Sequence, residues 1–292
     1  MSEKEITRPT VMEVNINNFK YNIEQIRKKL NPNTIIMPIM KANAYGTYLN
    51  TKLDIVNQFE IIGLATVDEG VELRKLGYQK DIFILNQPAA SEIDKIIENN
   101  LVIGLSSKEF LEKARMQNKE MRVHLEIETG MGRTGISFEQ IQDFIEEIQE
   151  ARNIKTEGIY THLSSPDIDN EYTKKQLEIF QKAVEKIMLS IKDIKYIHAT
   201  ASNGIIHYPE AHYNLVRPGM IMYGYESGEG IQEKIKLKPV AKLKSKITLL
   251  KTVKEDTSIS YGRSFITKRE SKIAVIPIGY ADGFRRGLSN NG

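Results

Sequence analysis

The chain contains no cysteine. A disulfide framework, a thiolate metal site and a thiol nucleophile are therefore all excluded, and no metal is expected. No apolar run approaches the roughly 20 residues that a membrane-spanning helix needs. The opening stretch MSEKEITRPT is polar and lacks the apolar core of a signal peptide. Charge of one sign is missing too. Lys and Arg number 41 against 38 Asp and Glu, a net charge of +3 at pH 7, and the lysines are scattered among acids. That leaves no stripe suited to nucleic acid or to a membrane surface. Internal repeats and low-complexity linkers are absent as well. What remains is the expectation of a soluble cytoplasmic protein. Its 292 residues, 27% charged and 40% hydrophobic, are enough for one large α/β domain and a smaller one.

Short apolar runs alternate with longer amphipathic stretches at a steady spacing. The strand candidates are 35–40, 61–65, 82–85, 101–105, 123–128, 158–162, 195–198 and 213–216. Between them lie helical patterns such as DEGVELRKLGY, SKEFLEKARMQN and SFEQIQDFIEEIQEARN, several of which open with the Ser or Asp that suits an N-cap. Eight strands, each followed by a helix over about 200 residues, predict a (β/α)8 TIM-type barrel over residues 10–230. Strand counting alone does not separate it from an open doubly wound sheet. After Gly230 the helical period stops. AKLKSKITLLKTVKEDTSISYG and SKIAVIPIGYADG alternate apolar with polar residues, so a partial β domain is expected over 231–292, with residues 1–9 packing alongside it.

The first strand candidate, IIMPIM, reads as buried on both faces and ends on Lys41. A lysine is rarely buried without a partner. In a (β/α)8 barrel the chemistry sits at the C-terminal ends of the strands. Lys41 follows the first strand, Arg133 the fifth, His162 ends the sixth, His198 the seventh, and Arg217 follows the eighth. Singly, each reads as an ordinary rim residue. Together they converge on one rim, and the excess of cations predicts an anionic ligand. A lysine amine crowded by cations in a desolvated pocket becomes nucleophilic, as a Schiff-base lysine must. The stretch TGMGRTG also fits G-x-G-x-x-G through Gly130, Gly132 and Gly135. It falls on the fifth strand instead of opening a dinucleotide fold, so its glycines are read as bringing the loop close to a ligand and aiming Arg133 inward.

Six motifs occur in order: KANAYG (41–46), ETGMGRTG (128–135), THLSSPD (161–167), VRPGMIMYG (216–224), SYGRSF (260–265) and IPIGYADGF (276–284). Taken together they closely resemble the pyridoxal-phosphate-dependent alanine racemases, from about Thr10 to the end of the chain. The resemblance implies the barrel, a C-terminal β domain, pyridoxal 5'-phosphate as cofactor, and a homodimer with shared active sites. By motif position, Lys41 matches the lysine that bonds the cofactor, and Arg217 the arginine on its pyridine nitrogen. Tyr45, Ser202, Gly219 and Met220 match the phosphate site. Arg133 matches the arginine facing the substrate carboxylate. Tyr261 matches the second catalytic base, given by the partner subunit, and His162 and His198 match the network joining that tyrosine to Arg217. The implied reaction interconverts L- and D-alanine and supplies D-alanine for peptidoglycan.

These roles suit the chemistry. Racemisation needs a base on each face of the α-carbon, which Lys41 and Tyr261 would supply. A phenol ordinarily ionises near pH ~10, so a tyrosine base needs the help of a cationic network such as Arg217 with His162. Arginine does not release a proton. The ring nitrogen beside it stays neutral, and a weaker electron sink discourages transamination. Three departures from the family pattern stand out. Thr47-Tyr48 replaces a usual His-Gly pair behind Tyr45. Glu126 stands where many members carry a carbamylated lysine, and is read as an anion that needs no modification. The later stretch that carries a Met-Asp pair and a phosphate-binding Tyr in the family has no counterpart before Gly292, so weak racemisation is expected from this stretch alone. Serine, a basic amino acid or a broader range of substrates remains open beside alanine. A non-catalytic barrel that binds the cofactor is opposed by the segment carrying Tyr261.

Overall fold

A computed structural model describes residues 7–226, 228 and 230–290. It divides into two units, one of Ile16–Val240 and one formed by the chain on either side of it. Strand β1 (Val11–Val14) belongs to the second. The barrel unit carries β2 (Ile35–Ile36), β3 (Ile61–Leu64), β4 (Asp81–Ile84), β5 (Val102–Leu105), β6 (Met121–Glu126), β7 (Ile154–Tyr160), β8 (Tyr196–His198) and β9 (Leu215–Val216). Strands β3 to β8 form one parallel sheet in chain order, and β2 pairs in parallel with β9. Two bridges, Ile39 with Gly63 and Ala201 with Arg217, join these sheets into a ring of eight. Each expected strand is present. The first is shorter because its stretch changes partner: Met37 N–H donates to Val216 O, whereas Met40 N–H donates to Gly63 O, and Pro38 between them has no N–H to give.

The barrel core explains why these runs are apolar throughout. Ile39, Ile61, Phe83, Val102, Tyr196 and Leu215 pack together, drawn from six different strand segments. Strand β6 is the exception. Its alternate residues Arg122, His124 and Glu126 are polar and fall on one face, as the two-residue period of a strand requires. Near the N-terminal ends of the strands, Arg122 binds both oxygens of Asp81 (2.7 and 2.9 Å) and Glu157 (2.7 Å), linking β4, β6 and β7. The helices outside the ring begin as their sequences suggest. Ser107 caps Lys108–Arg115, Asp169 caps Asn170–Ser190, and Thr66 with Glu69 forms a capping box on Val67–Lys75. Among the described residues no helix is long and apolar enough to cross a membrane.

In the second unit β1 pairs antiparallel with β10 (Ala241–Lys244), so Val11–Val14 joins the C-terminal strands. Strand β11 (Leu249–Val253) pairs with β14 (Ser271–Val275), and β12 (Ser258–Ile259) with β13 (Phe265–Ile266). Arg8 binds Asp282 at 2.7 Å, and Thr10 donates to Pro277 O at 2.6 Å. The structure thus divides after Val240, later than the helical period suggests, and takes in the chain up to Asn15.

The segment after β2 makes a left-handed helical turn. Ala42, Asn43 and Ala44 lie near φ +53 with ψ about +50, and Tyr45 follows at φ 55. For L-residues this geometry costs ~1–2 kcal/mol each, so the turn must be held from outside. Ala44 N–H donates to Met40 O and Gly46 N–H to Ala42 O, both at 2.9 Å. The Thr47 hydroxyl caps Ala44 O at 2.6 Å. Tyr48 also takes positive φ, at 57°, with its side chain 55% exposed. The Thr-Tyr pair thus performs a turn that asks for glycine at its second position. The Glu69 carboxylate accepts Ala42 N–H at 2.6 Å, and its other oxygen accepts Ala65 N–H at 2.8 Å. One side chain therefore caps the right-handed helix it starts and clamps the left-handed turn beside it.

Glu69→Ala should destabilise the protein by about 2 kcal/mol, the cost of leaving backbone donors without their charged acceptor. Gly46→Ala meets no atom within 4 Å, so only its φ of +80 opposes it; it should cost about 1 kcal/mol. Urea denaturation of both variants checks the order. A larger loss in Gly46→Ala would show that Glu69 is not the clamp.

Candidate active site

A cavity of about 300 Å³ opens at the C-terminal ends of the barrel strands, in the size range of small-ligand sites. Lys41 lies on its wall at the start of the left-handed turn, and Tyr45 lies at the end of that turn. Arg133, His162 and Arg217 line it from the loops after β6, β7 and β9. Ser202, Gly219 and Met220 complete the side where two loops meet, and Gly219 N–H donates to Ser202 Oγ at 3.1 Å. A Cβ at Gly219 would stand 2.7 Å from the Tyr45 hydroxyl, so the missing side chain leaves that hydroxyl its place. The Tyr45 ring rests on Tyr223 with centroids 4.9 Å apart. Eight of the residues expected at the site therefore share one wall.

Arg217 is fully buried at the back of the cavity. Nη1 donates to His198 Nδ1 at 2.6 Å and to His198 O at 3.1 Å; Nη2 donates to Thr161 O at 2.7 Å and Ala199 O at 3.0 Å. His162 Nδ1 lies 3.4 Å from Nη2. Nε–H makes no hydrogen bond within the described residues. Burial pulls the guanidinium down to about 10, which leaves it charged at neutral pH. His198 does not reach the cavity. It is buried behind Arg217, stacked on Tyr160 at 5.0 Å, so its contact is with the arginine and not with a ligand. Tyr261 lies in the second unit, where its side chain is 88% exposed.

The glycine-rich loop has a plain local explanation. Gly130, Gly132 and Gly135 all have positive φ. The Glu128 carboxylate accepts the N–H of Gly130 and, at 2.9 Å, that of Gly132. The amides that would cradle a pyrophosphate are occupied by the loop's own carboxylate, and the dinucleotide reading of the motif fails. Glu126 is buried beneath this loop. Desolvation raises its pKa, opposed by Thr134, Tyr160, Arg133 and Arg217, and Oε2 has no hydrogen-bond partner among the described residues. No ion pair joins it to Arg133 among them.

The profile described as alanine racemase, N-terminal domain, matches residues 14–227, and the one described as alanine racemase, C-terminal domain, matches 240–292. The chain belongs to the alanine racemase family. An alanine racemase from Carboxydothermus hydrogenoformans is 36% identical over 98% of this chain and 79% of its own length, and one from Methanococcus maripaludis is 37% identical with the same coverage. Among solved structures, the alanine racemase of Clostridium difficile 630 superposes with a TM-score of 0.91 at 32% identity, covering 97% of this chain and 76% of that one. The alanine racemase from Bacillus anthracis, solved with bound L-Ala-P, gives 0.91 at 28% identity, covering 98% and 76%.

Sequence reasoning passes over Tyr160, which lines the cavity, over Glu69, which holds the turn beside Lys41, and over His124, which lies behind Arg217 and His198. For His124 the signal is weak but present: in MRVHLE a strand buried on both faces carries polar residues at every second position. Burial lowers His124 to about 3, and burial with Arg217, Arg133 and Lys41 lowers His162 to about 3. Unfolded histidine takes its proton near 6.5. Between these values the unfolded chain binds more protons than the folded one, so stability is present above pH 6.5 and is lost as the pH falls toward 3. Each of the two rings should cost about 2 kcal/mol of stability by pH 5. Urea midpoints measured from pH 7.5 to 5 should fall accordingly; a flat profile would mean that these rings protonate in place.

Proposed function

We propose that the chain is a cytoplasmic, pyridoxal-phosphate-dependent enzyme that interconverts L- and D-alanine, works as a homodimer and supplies D-alanine for peptidoglycan. The observation that carries this reading is the meeting of an amine, Lys41, with a fully buried arginine, Arg217, on one cation-rich wall. The donor set suits the cofactor. Lys41 offers a primary amine for covalent attachment, while Tyr45, Ser202, Gly219 and Met220 would hold the phosphate. The Nη hydrogens of Arg217 are committed to the barrel, which leaves Nε–H for the pyridine nitrogen.

When bound, pyridoxal phosphate supplies an electron-withdrawing ring that makes the α-hydrogen of a bonded amino acid acidic. Arg217 keeps its own protons, so a ring nitrogen held by it would stay unprotonated and the withdrawal would stay moderate. Arg133 would bind the substrate carboxylate and orient the α-carbon. The Lys41 amine takes or returns a proton on one face. The Tyr261 phenol of the partner subunit does so on the other, and without it the site would have a base on one side only. Dimerisation is supported by the second unit itself. Tyr261 is exposed there, and so are Leu250, Ile276 and Tyr280, an apolar group of the kind that marks an interface.

Racemisation of L-alanine with added pyridoxal phosphate, followed by chiral chromatography, tests the reading. Lys41→Ala should lower kcat by roughly a thousandfold, in the range of a lost acid–base catalyst, and borohydride reduction should leave the pyridoxyl group on Lys41. A label on another lysine would remove Lys41 from the role. Serine and lysine belong in the same assay, because faster turnover of either would reassign the substrate. Mixing Lys41→Ala with Tyr261→Phe under subunit exchange should restore activity through hybrid sites. No recovery would refute a site shared between subunits.

A further inference from the structure

Arg217 is held from behind, and the residue at the back of that arrangement is His124. Arg217 Nη1 lies 2.6 Å from His198 Nδ1, and His198 Nε2 lies 2.9 Å from His124 Nδ1. A guanidinium can donate but has no acceptor. His198 Nδ1 must therefore accept. A neutral His198 then carries its proton on Nε2 and gives it to His124 Nδ1. His124 in turn carries its proton on Nε2, a buried nitrogen without a hydrogen-bond partner among the described residues. One donor of fixed direction sets the tautomer of two rings.

The barrel is shaped around this line. The His124 ring stacks on Phe83, with centroids 4.6 Å apart and planes at 26°. A Cβ at Gly158 would lie 2.6 Å from His124 Cγ, so β7 makes room for the ring by carrying no side chain there. The charged groups acting on His124 are Arg122 from its own strand, Asp81 from β4, Glu157 from β7, and Arg217; His198 faces Arg217 and His124. Acids and arginines oppose one another around His124, and burial keeps the ring neutral.

We propose that His124 is a positioning residue for the reaction: by accepting the His198 proton it locks the ring that fixes the Arg217 guanidinium at the cavity wall. Without that acceptor the His198 Nε2–H would be stranded in the core. The other tautomer of His198 would remove that stranded donor only by turning Nδ1–H toward Arg217, which also has only donors. The relay itself stands on the geometry; its effect on catalysis rests on the role proposed above for Arg217.

Nitrogen-15 correlation spectra of the imidazoles, in the full chain with and without pyridoxal phosphate, read the tautomers directly. The chain has five histidines to assign. His124 and His198 should both be neutral Nε2–H rings at pH 7 in both samples. An Nδ1–H form or a doubly protonated ring at either residue would overturn the relay. In kinetics, His124→Leu should lower kcat for alanine about tenfold, the effect of one stranded buried donor, with KM changed less than about twofold. His124→Gln, whose amide oxygen can accept, should recover most of the rate. A folded His124→Leu with unchanged kcat, or a glutamine variant no better than leucine, would overturn the positioning role. The wild-type spectra need no variant to fold, and they decide the relay even in a chain that racemises nothing, so failure of the relay and failure of the proposed function are read separately.

Discussion

A guanidinium enclosed in a barrel can only give hydrogen bonds, and much of this site follows from that constraint. At the C-terminal end of a parallel barrel the strands splay apart and backbone carbonyls lose their ladder partners. Thr161 O and Ala199 O are two of these, and Arg217 takes both, while it shares His198 O with the Thr161 N–H. The arginine is thereby fixed by main chain, which cannot move without opening the barrel. Its charge survives burial because the surrounding acceptors are dipoles and neutral rings, where a carboxylate in contact would have drawn a ligand-facing donor away.

The turn that carries Lys41 works by a different principle. Lys41 sits at the start of a turn that L-residues disfavour, and strain of this kind persists only where the surroundings over-determine it. Here a carboxylate, a threonine hydroxyl and several backbone bonds do so. The reward is direction. A right-handed helix after β2 would carry the chain away along a different path, whereas the left-handed turn brings Lys41 and Tyr45 to the same cavity four positions apart.

The eight runs were legible because most strand residues are buried on both faces, and only β6 breaks the apolar signal, with Arg122, His124 and Glu126. Lys41, Arg133, His162 and Arg217 were legible from their place just beyond those runs. His198 was read by the same rule, yet it is still within β8, and its ring packs against Tyr160 and Arg217 without reaching the cavity. His124 escaped notice because it lies inside an apolar run, where polar alternation alone betrays it. The handedness of the KANAY turn has no sequence signal, since alanine and lysine normally favour right-handed helices. Strand β1 was equally hidden. Four residues carry little pattern, and its partner β10 lies more than two hundred positions away. Thr47-Tyr48 departs from the family's His-Gly pair, and what it supplies is a hydroxyl cap and a positive φ.

The cluster of Arg122, Asp81 and Glu157 ties three strands together at the end of the barrel remote from the cavity. Its position separates two kinds of evolutionary freedom. Loops at the cavity end can accept insertions and altered side chains while closure of the ring is anchored elsewhere, so new specificities can be explored without first paying in foldedness. The converse also holds. Drift at the anchored end would erode every activity the barrel hosts, whatever its substrate, and the two ends should therefore record different histories of selection.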